Sequence, residues 1–276
     1  MLLSSQSNKL IRQNKKLLII ASLIFGSFIS SNSFAAEYNF IVQPVHSPEK
    51  MKQIYQPLAN YLNKETGHTF NVVTSTSFIS YWAKMKKGQF DLILDAAHFT
   101  DYRIKRMNYS VLAKIPNTES FSIITNAKEH VTDYKKLVGK KLITLPTPSL
   151  SSMRLAQMFP NPARQPNISS TNSTEVAIKS VQQGTYYAAL VPTSMLNEVK
   201  NINTVNTTIA TPRMAISASP KIDNDLQDKI RVALLKASTT ESGKAMLSAI
   251  NIPSFKAANA KTYQGYEKLL AGVWGY

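Results

Sequence analysis

The sequence predicts an α/β fold of two lobes, each a mostly parallel sheet flanked by helices, and three observations carry that prediction. Short apolar runs alternate with stretches of helical spacing, the pattern of βαβ units. That alternation restarts once, after a polar loop at 115–120. The chain also has 276 residues, more than one hydrophobic core usually organises.

Residues 38–42 read as a buried strand, and Ser47 with Pro48 and Glu49 supplies a helix cap, a first-turn proline and a first-turn acid. Met51, Ile54, Tyr55, Leu58 and Leu62 then recur at three and four residues, Gly67 closes the helix, and 69–73 is strand. Pro57 lies inside this helix and is expected to kink or divide it, because it removes a backbone donor and crowds the preceding turn. A basic helix running past Tyr81 and Trp82 to Gly88 leads to a strand at 90–94 that ends at Asp95, and a further helix spans 99–107.

The second set of units opens with a strand at 121–125. Strand 142–145 then breaks into a proline- and serine-rich turn before a helix from Ser152. Residues 159–173 are rich in Pro, Asn and Ser and read as loop. A helix at 175–183, with Val176, Ile178 and Val181 apolar, ends at Gly184 before a strand at 187–191. Beyond these come a strand at 214–217, a helix at 223–237 that buries Leu226, Ile230, Ala233 and Leu234, and helical segments at 241–250 and 263–270.

The N-terminus carries Lys9, Arg12, Lys15 and Lys16, an apolar run at 17–29, and Ser33-Phe34-Ala35, which together read as a signal peptide over 1–35. The apolar run falls short of the ~20 residues of a membrane-spanning helix. Cysteine is absent, which excludes disulfides, thiolate metal sites, thiol catalysis and a cysteine-linked lipid anchor. An exported protein without that anchor is expected in the periplasm. Removing the leader lowers the net charge from +16 to +12, because all four of its charged residues are basic. The lysines are dispersed in short clusters, so the charge suits a field that draws small anions and no nucleic-acid partner is expected.

The turn at 146–152 holds Ser149, Ser151 and Ser152 where a helix begins. The first N–H groups of a helix lack internal partners and carry the positive end of its dipole, so hydroxyls there suit an anion.

Four fragments then carry a family resemblance: Tyr55-Gln56-Pro57-Leu58-Ala59-Asn60-Tyr61-Leu62 with Thr66-Gly67; Gly88-Gln89-Phe90-Asp91-Leu92; Leu137-Val138-Gly139-Lys140-Lys141; and 177–184 before Ala188-Ala189-Leu190. In order and spacing the chain resembles the periplasmic phosphate/phosphite/phosphonate-binding proteins of ABC importers. The resemblance implies the type II periplasmic-binding fold, with lobe I at 36–118 plus 212–276 and lobe II at 119–211, joined by two crossover strands and closing by a hinge. It implies no enzyme activity, no cofactor and no metal. In such a fold ligands sit beyond the C-terminal ends of the strands, so 44–47, 74–82, 95–99 and 149–152 are expected around the cleft.

The expected ligand-binding residues are therefore Ser149, Ser151, Ser152, His46, Tyr81, Asp95 and His98. The expected ligand is a small anion or a zwitterion with an anionic head. A membrane permease is the expected partner, and the protein is expected to be a monomer. Two alternatives share these residues: a sensory module that docks on a membrane kinase or cyclase, and a metal-dependent hydrolase using His46, Asp95 and His98.

Overall fold

The computed structural model describes residues 35–276, so the expected signal peptide lies outside the described residues except for Ala35. The first sheet begins with β1 (Glu37–Val42), α1 (Pro48–Thr66), β2 (Thr69–Val73), α2 (Phe78–Lys86), β3 (Leu92–Asp95), α3 (Ala97–Met107) and β4 (Ser110–Lys114). A two-residue strand, β5 (Thr118–Glu119), leads to the second group: β6 (Phe121–Asn126), β7 (Lys141–Thr144), α4 (Leu150–Met158), β8 (Asn167–Ser170), α5 (Thr174–Gln182), β9 (Ala188–Pro192) and β10 (Ile202–Thr207). The chain returns through β11 (Thr211–Pro212) to β12 (Ala215–Ala218), then α6 (Asn224–Lys236), α7 (Glu241–Ala249), α8 (Ala260–Tyr263) and a 3-10 turn at Tyr266–Leu270.

The described residues form two five-stranded sheets, ordered β2-β1-β3-β12-β4 and β10-β6-β9-β7-β8. In the first, β1 pairs in parallel with β2 and β3, and β12 runs antiparallel between β3 and β4. In the second, β7 is parallel to β8 and β9, while β6 is antiparallel to β9 and β10. The short strands β5 and β11 pair antiparallel where the chain passes between the two sheets.

Helix α1 shows why the first lobe holds together. Ser47 caps it by accepting from the Lys50 N–H, and Gly67 ends it with a positive φ of 75°, a backbone state that costs glycine little. Its stripe of Met51, Tyr55, Leu58, Ala59 and Leu62 is buried in a core shared with α6 and α7. The helix runs undivided through Pro57. An internal proline costs about 3 kcal/mol, whereas each large apolar side chain buried on that stripe returns about 1.5–3 kcal/mol.

Gly243 allows α7 to pack on the turn before it, since a Cβ there would strike the Ala237 backbone. Gly243→Ala is expected to destabilise the fold by about 1–3 kcal/mol, the usual cost of overpacking, and a thermal melt will read this as a lowered Tm.

Candidate functional site

In a βαβ unit the C-terminal end of a strand and the N-terminus of the next helix share one edge of the sheet. Both lobes turn that edge toward a cavity of about 240 Å³. The first lobe contributes Gln43, Val45 and His46 from the β1–α1 loop, Phe78 from the start of α2, and Ala96 from the start of α3. The second contributes Leu145, Ser149, Leu150 and Ser151 at the start of α4, and Thr174 and Glu175 at the start of α5. Glu119, Pro212 and Arg213, on or beside the β5–β11 ladder, complete the wall. Four helix N-termini thus meet at one small space, and each carries the equivalent of roughly half a positive charge.

Of the seven residues expected from sequence, His46, Ser149 and Ser151 lie on this wall. Ser149 is the cap of α4: its Oγ accepts from the Ser152 N–H at 3.2 Å and stands 3.1 Å from the Ser151 Oγ. His46 is half-buried. Burial and the nearby Lys50 push its pKa below the ordinary 6.5, with Glu175 across the cavity opposing them. For Glu175, burial favours the neutral acid. The Ser173 hydroxyl, which donates to it at 2.6 Å, its own N–H and the charges of His46 and Lys50 outweigh that and hold its pKa below the usual value.

The other four residues sit elsewhere, and each placement has a local cause. Ser152 turns inward on its own helix, where its hydroxyl donates to the Ser149 carbonyl at 2.9 Å. Asp95 ends β3 and faces α3, with both oxygens engaged by Arg103, at 2.5 Å from Nη1 and 2.7 Å from Nη2. Neither side chain of this pair is exposed. Thr100 donates to the same carboxylate at 3.1 Å, Tyr81 donates to it as well, and Arg103 donates onward to Ser217 at 2.8 Å. Asp95 and Tyr81 therefore bind the sheet to α2 and α3 and do not face the cavity. Burial, and secondarily the Asp95 charge, raise the Tyr81 pKa well above its ordinary value, so Tyr81 stays protonated.

His98 is fully buried and reaches across the lobes, with Nε2 at 2.9 Å from the Pro148 carbonyl oxygen. A carbonyl only accepts, so Nε2 carries the proton and donates. Nδ1 has no partner among the described residues. Burial lowers the His98 pKa to about 4; Pro148 and Asp95 oppose that shift, while Arg103 and Arg154 add to it.

Sequence reasoning missed Gln43, Glu175 and Arg213, whereas Ala96 falls within the 95–99 loop expected at the cleft. Gln43 follows β1 directly, one residue before the first loop expected at the cleft, and its Oε1 accepts from the Ala96 N–H at 3.1 Å. Glu175 lies in the first turn of α5, after β8, and with that strand read as loop the strand-end rule had nothing to act on there. Arg213 lies 3.6 Å from Glu119, which also accepts from the Ser194 hydroxyl at 2.7 Å. The metal-centre alternative loses its ligands: Asp95 and His98 are engaged inside the protein, and among the described residues no three metal-ligating side chains converge.

Two α/β lobes enclosing a small cavity at their helix N-termini define a ligand-capture protein. The chain belongs to the family described as ABC transporter, phosphonate, periplasmic substrate-binding protein, whose family model matches residues 40–263. Members are binding components of importers, not enzymes; they work in the periplasm, taking a small ligand to a membrane permease. Among the described residues no helix is long and apolar enough to cross a membrane.

Solved structures agree in fold. PhnD1 from Prochlorococcus marinus, in complex with methylphosphonate, superposes with a TM-score of 0.73 at 14% identity, covering 86% of this chain and 97% of that one. A Xanthomonas citri protein bound to ATP gives 0.71 at 11% identity, covering 86% and 96%. A binding protein component of an ABC phosphonate transporter from Pseudomonas aeruginosa gives 0.71 at 13% identity, covering 85% of each. No curated protein sequence matches the chain.

Proposed function

We propose that this protein captures a small ligand with an oxyanion head, of the phosphonate type, in the interlobe cavity and presents it to the permease of an ABC importer. The observation that carries this reading is the meeting of the α2, α3, α4 and α5 N-termini at one space, where unpaired N–H groups and dipole ends favour negative charge. Ser149 and Ser151 add hydroxyls at the start of α4, and His46 adds a ring nitrogen. Val45, Phe78, Phe121 and Leu145 offer apolar wall to a short carbon substituent. The cavity of about 240 Å³ restricts the ligand to a small one. Lobe I at 36–118 plus 212–276 and lobe II at 119–211 close on the ligand about the β5–β11 ladder, and the bound ligand stabilises the closed population.

Isothermal titration with methylphosphonate, 2-aminoethylphosphonate, phosphite, phosphate and sulfate tests this. Saturable one-to-one heat with at least one of them is expected, and no heat with any of them overturns the proposal. For a ligand that binds, Ser151→Ala is expected to weaken affinity about 10-fold or more, the loss of a hydrogen bond to a charged group.

A further inference from the structure

Gln43 has one end of its amide fixed by the backbone beside it. The Ala96 N–H can only donate, so the atom 3.1 Å from it must be the amide oxygen, Oε1. The other end, Nε2, is therefore an NH₂ group with two protons to give. Among the described residues Nε2 meets no protein acceptor, and it is not one of the buried polar atoms left without a partner, so it is open to the cavity that Gln43 lines. Ala96 also packs in the same apolar cluster as Leu150, the first residue of α4. Gln43 and Ala96 thus lie where the first lobe meets the start of α4, beside His98, whose Nε2 donates to the Pro148 carbonyl of the serine turn.

The geometry points to Gln43 as a specificity-determining residue, a donor of fixed polarity that accepts a ligand oxygen and rejects an ammonium at that place. This rests on the oxyanion reading above and adds the orientation of the ligand. The anionic head lies at the Gln43–Ala96 end, and any cationic or apolar substituent is directed away from it. A free amide could rotate to suit either a donor or an acceptor. Here rotation would set an NH₂ group against the Ala96 N–H and leave both donors unpaired, which disfavours the flipped amide. This is not legible in the sequence, because glutamine after a strand has no motif and its polarity is set by a residue 53 positions away.

Two substitutions separate this role from a purely structural one. Gln43→Glu keeps an oxygen to accept from Ala96 but presents a second oxygen, negatively charged, to the ligand. Gln43→Ala removes both the acceptor and the donor. With methylphosphonate and phosphate as probes in isothermal titration, Q43A is expected to bind about 10-fold more weakly than the unsubstituted protein. Q43E is expected to bind about 100-fold more weakly or worse, with a Tm no lower than that of Q43A. Q43E binding as well as the unsubstituted protein, or better than Q43A, overturns the inference and leaves the oxyanion reading standing. Absence of heat with the unsubstituted protein overturns both.

Discussion

Asp95→Ala is expected to cost the fold about 3–5 kcal/mol, the usual penalty for leaving a buried charge without its partner. Arg103 is left with no carboxylate in a site without solvent access, since both side chains of the pair are fully buried. Burial works against its charge. In the parent the paired Asp95 more than offsets that and raises the Arg103 pKa above its ordinary value. In the variant burial acts without this support, yet a guanidinium does not release its proton inside proteins, so the charge stays and is unpaired. Tyr81 and Thr100 lose their acceptor at the same time. Urea unfolding will measure the effect. The double variant Asp95→Leu with Arg103→Met is expected to recover most of it, because replacing both members of a buried pair by apolar groups is often neutral or stabilising. A D95A protein within about 1 kcal/mol of the parent would show that the pair does not carry this load.

The second large effect is acid lability centred on His98. Its pKa falls from 6.5 to about 4 in the folded protein because of burial, so between those values the unfolded chain binds the proton and the folded one does not. Stability from this group is full above about pH 6.5 and declines as the pH falls toward 4. It reaches a total of about 3 kcal/mol at roughly 1.4 kcal/mol per pH unit. Protonation would also place a charge at Nδ1, which has no acceptor among the described residues. Unfolding free energies of the parent and of His98→Gln across this range will test it. The parent is expected to lose about 3 kcal/mol more than the variant on acidification, and parallel curves would rule His98 out as the origin.

Elements with a buried stripe or a dedicated cap were legible in the sequence. The helix that became α1 was found from Ser47, Pro48, Gly67 and the spacing of Met51 to Leu62, and α5 and α6 were equally plain. Strands β8 and β10 were not legible. They are the two edges of the second sheet, and their Asn, Ser and Thr residues are mostly half-buried or exposed, so no alternation of apolar residues marks them. β4 was missed for a different reason: its antiparallel place beside β12 is set by a strand 100 residues later in the chain.

The site was legible to the extent that it follows strand ends. That rule reached His46, Ser149 and Ser151. It misassigned Asp95, because a carboxylate closing a strand looks the same whether it faces a ligand or an arginine two turns into the next helix. Nothing local to Asp95 announces Arg103 as its partner. Tyr81 and His98 followed the same error, since the sequence places them on cleft loops while the structure buries both completely.

The place of β12 has a consequence for timing. This strand lies inside the first sheet, between β3 and β4, yet it is the last strand to be synthesised. No nascent chain ending before Ala215 can join β3 to β4, whereas all five strands of the second sheet are complete by Thr207. The lobe that begins the polypeptide is therefore the last to be finished. Until then the edges of β3 and β4 that β12 covers have no partner in the sheet, although β1, β2 and β3 can already pair with one another.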